Sequence, residues 1–93
     1  MIHRVDIATD VLKSLVKLPA HIGQKLLAWT ALVERDGLEE ARKVPGYHDE
    51  PLRGKRKGQR SIRLSRAYRA IYVVRADGGL EFVSVEDVSK HEY

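Results

Sequence analysis

The spacing of apolar residues changes once along this chain, and that change limits its fold more than any other feature. Ile22, Leu26, Trp29 and Val33 recur at i, i+4, i+7 and i+11, the stripe of a helix with one buried side. From residue 60 onward the period is two. Ile62 and Leu64 alternate with Ser61, Arg63 and Ser65, and a run rich in Tyr, Ile and Val follows over residues 67–75, the pattern of half-buried strands. Asp77-Gly78-Gly79 marks a tight hairpin into a third apolar run over 80–85, or 80–88 at its longest. Helices followed by an antiparallel meander must cover one face of it, since neither buries its apolar side alone.

The remaining segments fit that plan. Residues 2–7 alternate apolar and polar, as a short strand does. Ala8-Thr9-Asp10 offers capping side chains to a helix carrying Val11, Leu12, Leu15, Val16 and Leu18. Pro19 breaks the chain and favours a new helix start, so a second helix is expected over 20–35, ended by Asp36-Gly37. Residues 38–43 add a helical turn or two. The stretch 44–57, with Pro45, Gly46, Pro51 and Gly54, reads as an ordered loop. The expected fold class is α+β, in the order β-α-α-β-β-β: an antiparallel sheet with an N-terminal helical hairpin packed on one face. The 93 residues make one domain, 1–93.

Composition removes several kinds of function. The chain has no cysteine, which excludes disulfides, thiolate zinc sites and cysteine nucleophiles. No run approaches the ~20 apolar residues of a membrane span, and residues 1–6 lack the apolar stretch of a secretory signal. A cytosolic protein with no membrane partner is expected. A chain this short has little core to spare for a deep pocket, so function is expected in a surface groove.

The net charge of +4 is unevenly placed: residues 46–72 hold eight Lys/Arg against two Asp/Glu, and 73–93 hold two against five. One-signed charge concentrated in this way is the footprint of a polyanion site, and RNA is the expected ligand. Within the basic block the residues divide by position. Arg53, Lys55, Arg56, Lys57 and Arg60 form a cationic loop leading into a strand, suited to sequence-blind contact with phosphates. Arg63 and Arg69 fall on adjacent strands. Arg69 interrupts a strong apolar run, where an arginine belongs only on the open face, and there it should stand beside Arg63. Paired guanidiniums match phosphate oxygens in geometry as well as charge. Carboxylates at Glu86 or Asp87 are the alternative partners for these arginines.

A groove that binds RNA can also cut it, because the 2′-hydroxyl is a built-in nucleophile. Cleavage needs a base, cations for the charged intermediate, and an acid for the departing oxygen. Glu50, held extended by Pro51, is one candidate base. His91 is another, and Tyr93 is a candidate for stacking or proton donation. His3 and His21 read as structural or exposed. His48 adjoins Asp49 and Glu50, but contiguous spacing is not that of a metal site, and no metal is expected.

Glu50-Pro-Leu-Arg-Gly54, Gly58-Gln-Arg-Ser-Ile-Arg63, Tyr68-Arg69-Ala-Ile-Tyr72 and Lys90-His-Glu-Tyr93, in this order, resemble the RelE/ParE superfamily of bacterial toxins. They are most similar to its RelE, YoeB and HigB branches. The resemblance implies a RelE-like fold and a type II toxin that enters the ribosomal A site. It would cleave mRNA there by 2′-hydroxyl attack, without metal or cofactor, until a cognate antitoxin blocks it. It implies that Arg69 stabilises the transition state, that Glu50 is the carboxylate YoeB-like members carry before Pro-Leu, and that Arg53 is the basic residue after it. His91 and Tyr93 resemble the C-terminal histidine and tyrosine. Two positions depart from the pattern: Glu92 separates His91 from Tyr93, and Arg63 stands where RelE has a lysine. The expected partners are the antitoxin, the ribosome and mRNA, with the toxin alone monomeric. The alternatives are a ParE-like non-catalytic inhibitor of DNA gyrase and an RNA-binding module without catalysis.

Overall fold

The structure, a computed structural model, describes residues 1–90. Its core is built on the helical stripe. Ile22, Leu26, Trp29 and Val33 of α2 (Ala20–Asp36) are all fully buried. They face Ile62 and Leu64 with Ala70, Tyr72, Val83 and Val85 of the sheet. The Trp29 and Tyr72 rings meet at 5.1 Å between centroids, tilted by 43°, a favourable aromatic geometry. A shorter helix, α1 (Thr9–Leu15), adds Val11 to the same core, and α3 (Leu38–Arg42) adds Leu38 and Ala41.

The helix ends differ from expectation in one respect. The Ala8-Thr9-Asp10 segment supplies no side-chain cap; Ala8 is itself the N-cap, with no side-chain hydrogen bond. Its carbonyl accepts from the Val11 and Leu12 amides, and its own amide donates to Val85 O, so pairing with the sheet rather than a cap fixes the start of α1. At the end of α2 the expected stop holds. Gly37 takes φ 91°, its amide donates to Val33 O at 2.8 Å, and the next amide donates to Ile2 O. His3 is structural, with Nδ1 3.0 Å from the Glu34 carbonyl oxygen.

The sheet has five strands: β1 (Val5–Ile7), β2 (Glu50–Pro51), β3 (Arg60–Arg63), β4 (Tyr68–Asp77) and β5 (Leu80–Lys90), in the order β1-β5-β4-β3-β2. The three-strand meander is as expected. Two features are additional. β1 pairs in parallel with β5 at one edge, and β2 forms the other edge, within what the sequence reads as loop. β5 also runs to Lys90, past the expected end, because a bulge lets it continue. Ile71 pairs with Asp87 but Tyr72 pairs with Val85, leaving Glu86 as the extra residue. The bulge returns Val88 to the helix-covered side with Val83 and Val85 although their spacing is two and then three. No helix among the described residues is long and apolar enough to cross a membrane.

Candidate active site

The face of the sheet away from the helices carries the cross-strand row Glu50, Ser61, Ile71 and Asp87, followed by the row Arg63, Arg69 and Ser89. Arg63 and Arg69 are direct register partners, as alternation requires of two adjacent strands. The turn between β3 and β4 fixes that register. Leu64 and Ser65 amides donate to Tyr68 O, and Ser65 Oγ accepts from the amides of Ala67 and Tyr68 at 3.2 and 3.1 Å. Glu50, opposite Ser61, is the diagonal neighbour of Arg63, a separation of about 7–8 Å between backbones.

These residues meet in a cleft of about 180 Å³ lined by His48, Glu50, Arg63, Arg66, Tyr68 and Arg69 among others. That is below the ~300 Å³ at which small-molecule pockets begin, so the cleft suits one group of a larger ligand. Among the described residues, neither Arg63 nor Arg69 forms a salt bridge. Glu86, an expected alternative partner, instead holds Arg75 at 2.7 Å. Arg69 Nε is buried and has no hydrogen-bond partner among the described residues, an arrangement costing roughly 1–3 kcal/mol that a bound anion would relieve.

Glu50 is placed by its neighbour. In an extended segment Asp49 and Glu50 point to opposite sides; Glu50 is exposed at the cleft, and the Asp49 side chain is fully buried. The Asp49 carboxylate accepts from Arg60 Nε at 2.6 Å and from the Tyr72 hydroxyl at 2.5 Å, and Arg42 Nε of α3 donates to that hydroxyl at 3.3 Å. Burial, with the Asp49 hydrogen bond, pushes the Tyr72 phenol up to about 12. Burial alone would lower the Arg60 guanidinium, but the hydrogen bond and charge of Asp49, with Tyr72, outweigh it and raise it.

Arg60 therefore departs from its expected place in the free cationic loop. Period two puts it on the side of Ile62, not of Arg63, and there it neutralises a buried carboxylate. Arg53, Lys55, Arg56 and Lys57 are exposed as expected, on a loop closed by Leu52 N to Gln59 O at 2.9 Å and turned through Gly54–Arg56. The loop is a hydrogen-bonded turn and not a slack segment, with Arg56 tied to Gln59 Oε1 at 3.1 Å. It joins β3 at Arg60, three residues and so ~10 Å along the strand from Arg63. The cleft thus unites Glu50, Arg63 and Arg69, with the loop cations outside it. His91 and Tyr93 lie outside the described residues. Lys90, the last described residue, pairs with Tyr68 at the cleft.

Sequence reasoning left out His48 as a site residue. Its Nε2 stands 3.4 Å from Glu50 Oε2, and it is the only non-glycine among the described residues with positive φ (47°). The usable signal was His48-x-Glu50 ahead of Pro51, since positions two apart on an edge segment can share a side. Among the described residues, no group of three His, Asp or Glu is placed to hold a metal ion.

No protein-family model matches the chain, and no curated protein matches it. Solved structures do. The archaeal RelE–RelB complex from Pyrococcus horikoshii matches with a TM-score of 0.70 at 24% identity, over 97% of this chain and 96% of that one. YafQ from E. coli matches with a TM-score of 0.68 at 18% identity, over 95% and 92%. The YoeB/ParE toxin from Agrobacterium tumefaciens matches with a TM-score of 0.62 at 19% identity, over 96% and 99%. The chain has the RelE-like fold along almost its whole length.

Proposed function

We propose that this chain is the toxin of a type II toxin–antitoxin module, an endoribonuclease that cleaves mRNA on the ribosome by metal-free 2′-hydroxyl attack. The observation that carries this reading is the Arg63/Arg69 pair, set opposite each other in a cleft with Glu50 at its edge and, among the described residues, no carboxylate in a salt bridge with either arginine. Two guanidiniums fixed on neighbouring strands hold a phosphodiester and stabilise the extra charge of the phosphorane as it forms. Glu50 or His91 takes the 2′-hydroxyl proton, and Tyr93 stacks on a base or protonates the departing 5′-oxygen. Arg53, Lys55, Arg56 and Lys57 draw the polyanion in without reading its sequence.

The size of the cleft supports dependence on the ribosome, since a site that holds one phosphodiester needs the strand presented by a larger body. The fold shared with RelE, YoeB/ParE and YafQ proteins supports the toxin reading. The RelB bound to the archaeal neighbour supports a cognate antitoxin for this chain, and the site of action is then the cytosol. The test is induction in bacteria followed by primer extension on mRNA. Codon-phased cuts that disappear in Arg69→Ala are expected. DNA damage without mRNA cuts would replace this reading with gyrase inhibition. Steeply salt-dependent RNA binding with no cleavage, even with ribosomes, would leave an RNA-binding module.

A further inference from the structure

We infer that His48 is the general base of this cleft and that Glu50 orients it instead of taking the proton itself. The inference rests on the nuclease reading and changes the identity of its base. His48 lines the same cleft as Arg63 and Arg69, with Nε2 3.4 Å from Glu50 Oε2. The two groups are at ion-pair distance without a hydrogen bond between them; closing that contact would place the ring proton on Nε2 and leave the other nitrogen, Nδ1, to accept a proton. As residue types, imidazole titrates close to neutral pH, where a general base works best, and carboxylates about two units lower.

The backbone gives a second, independent reason. His48 closes the short 3₁₀ turn Pro45–Tyr47 in the left-handed conformation, φ 47° and ψ 52°, where glycine or asparagine is the unstrained choice. A histidine kept at such a position is held by its surroundings. Here the turn precedes it and the buried Asp49, bonded to Arg60 and Tyr72, follows it. The backbone at His48 and Glu50 is thereby held at the cleft edge.

His48 Nδ1 takes the 2′-hydroxyl proton while the 2′-oxygen bonds to phosphorus. The phosphorane charge falls to Arg63 and Arg69. The bond from phosphorus to the 5′-oxygen breaks, and that oxygen leaves with a proton taken from water. The products are a 2′,3′-cyclic phosphate and a 5′-hydroxyl, and the imidazolium returns its proton to water.

The test is single-turnover cleavage of ribosome-bound mRNA by wild type, His48→Gly, Glu50→Gln and His91→Ala, with and without added imidazole. Glycine suits the left-handed backbone, so His48→Gly keeps the fold, which its thermal melt checks. Its cleavage rate is expected to fall by about 10²–10⁴-fold, and imidazole is expected to restore at least about tenfold of that loss. Glu50→Gln is expected to lose about tenfold and to gain nothing from imidazole. A wild type that cuts while His48→Gly stays within about threefold of it overturns the inference and returns the base to Glu50 or His91. A loss that imidazole cannot restore overturns it as well, by making His48 merely structural. A wild type that makes no cuts overturns the nuclease reading, and this inference with it.

Discussion

Replacing Asp49 with alanine tests whether the buried anchor beneath the cleft is as important as its geometry indicates. The carboxylate is fully buried and accepts two short hydrogen bonds, 2.6 Å from Arg60 Nε and 2.5 Å from the Tyr72 hydroxyl. Bonds to a charged group contribute roughly 1.5–3 kcal/mol each, which sets a gross loss of about 3–6 kcal/mol. Two features of the surroundings reduce it. The Arg60 side chain is 28% exposed, so it can turn to water and its share falls to at most ~1 kcal/mol. The Tyr72 oxygen keeps its Arg42 donor, but its proton loses its acceptor inside the core, at a cost of roughly 1–3 kcal/mol. The net destabilisation is then about 1–4 kcal/mol, or a fall in Tm of roughly 5–30 °C for a domain of this size. Trp29 lies against Tyr72, so its fluorescence in a urea titration reports the loss directly. A double-mutant cycle with Tyr72→Phe should give a coupling of about 1 kcal/mol or more. If Asp49→Ala unfolds within about 0.5 kcal/mol of wild type, the anchor is not holding the segment and the placement of Glu50 needs another cause.

Three further outcomes follow from the same geometry. The folded-state Tyr72 value of about 12 exceeds the ~10 of an exposed tyrosine. Its stabilisation is therefore full below pH ~10 and lost as pH rises toward 12, by up to ~3 kcal/mol; alkaline denaturation of Tyr72→Phe should lack that component. Arg69→Ala should lower single-turnover cleavage by about 10²–10³-fold. It should leave the urea midpoint near or slightly above that of wild type, because it removes a buried unpaired Nε; a large drop in stability would give Arg69 a structural role instead. Alanine at Lys55, Arg56 and Lys57 together should flatten the slope of log affinity against log salt by up to ~2, measured on a single-stranded RNA, and an unchanged slope would remove the loop from the binding surface.

How far these features could be read from sequence depended on whether a local period decided them. The α2 stripe is set by its own spacing, and Ile22, Leu26, Trp29 and Val33 are all buried. Alternation within β3 and β4 likewise puts Arg63 beside Arg69. The same alternation put Arg60 inward with Ile62, yet grouping it by charge with Lys55 to Lys57 hid this. Where two periods meet, no single pattern applies. Val83, Val85 and Val88 share a face only because Glu86 is bulged, so the alternation alone ends the strand at Val85, or at Val88 at its longest, short of Lys90. Glu50–Pro51 is too short to show a period at all, and its pairing with Arg60 and Ser61 is a tertiary fact. His48, Asp49 and Glu50 form a contiguous cluster in sequence, but a left-handed residue followed by an extended pair sends Asp49 into the core and leaves His48 with Glu50 at the cleft.

The two faces of the sheet depend on each other energetically. Like charges directly opposite on neighbouring strands destabilise a sheet, so the Arg63/Arg69 row cannot be what holds β3 to β4. The register is kept from the other side, where Ile62 meets Ala70 and Val88 over α2, and from the ends, where Ser65 closes one turn and Leu52 with Gln59 closes the other. The core thus maintains a concentration of positive charge that the open face would not assemble alone. The Asp49–Arg60–Tyr72 cluster is where the two meet: it lies on the core side, yet it sets the residues on either side of it, His48 and Glu50, at the edge of the cleft. Removing positive charge from the cleft should therefore cost little stability, while damage to the core beneath it should cost both stability and the site.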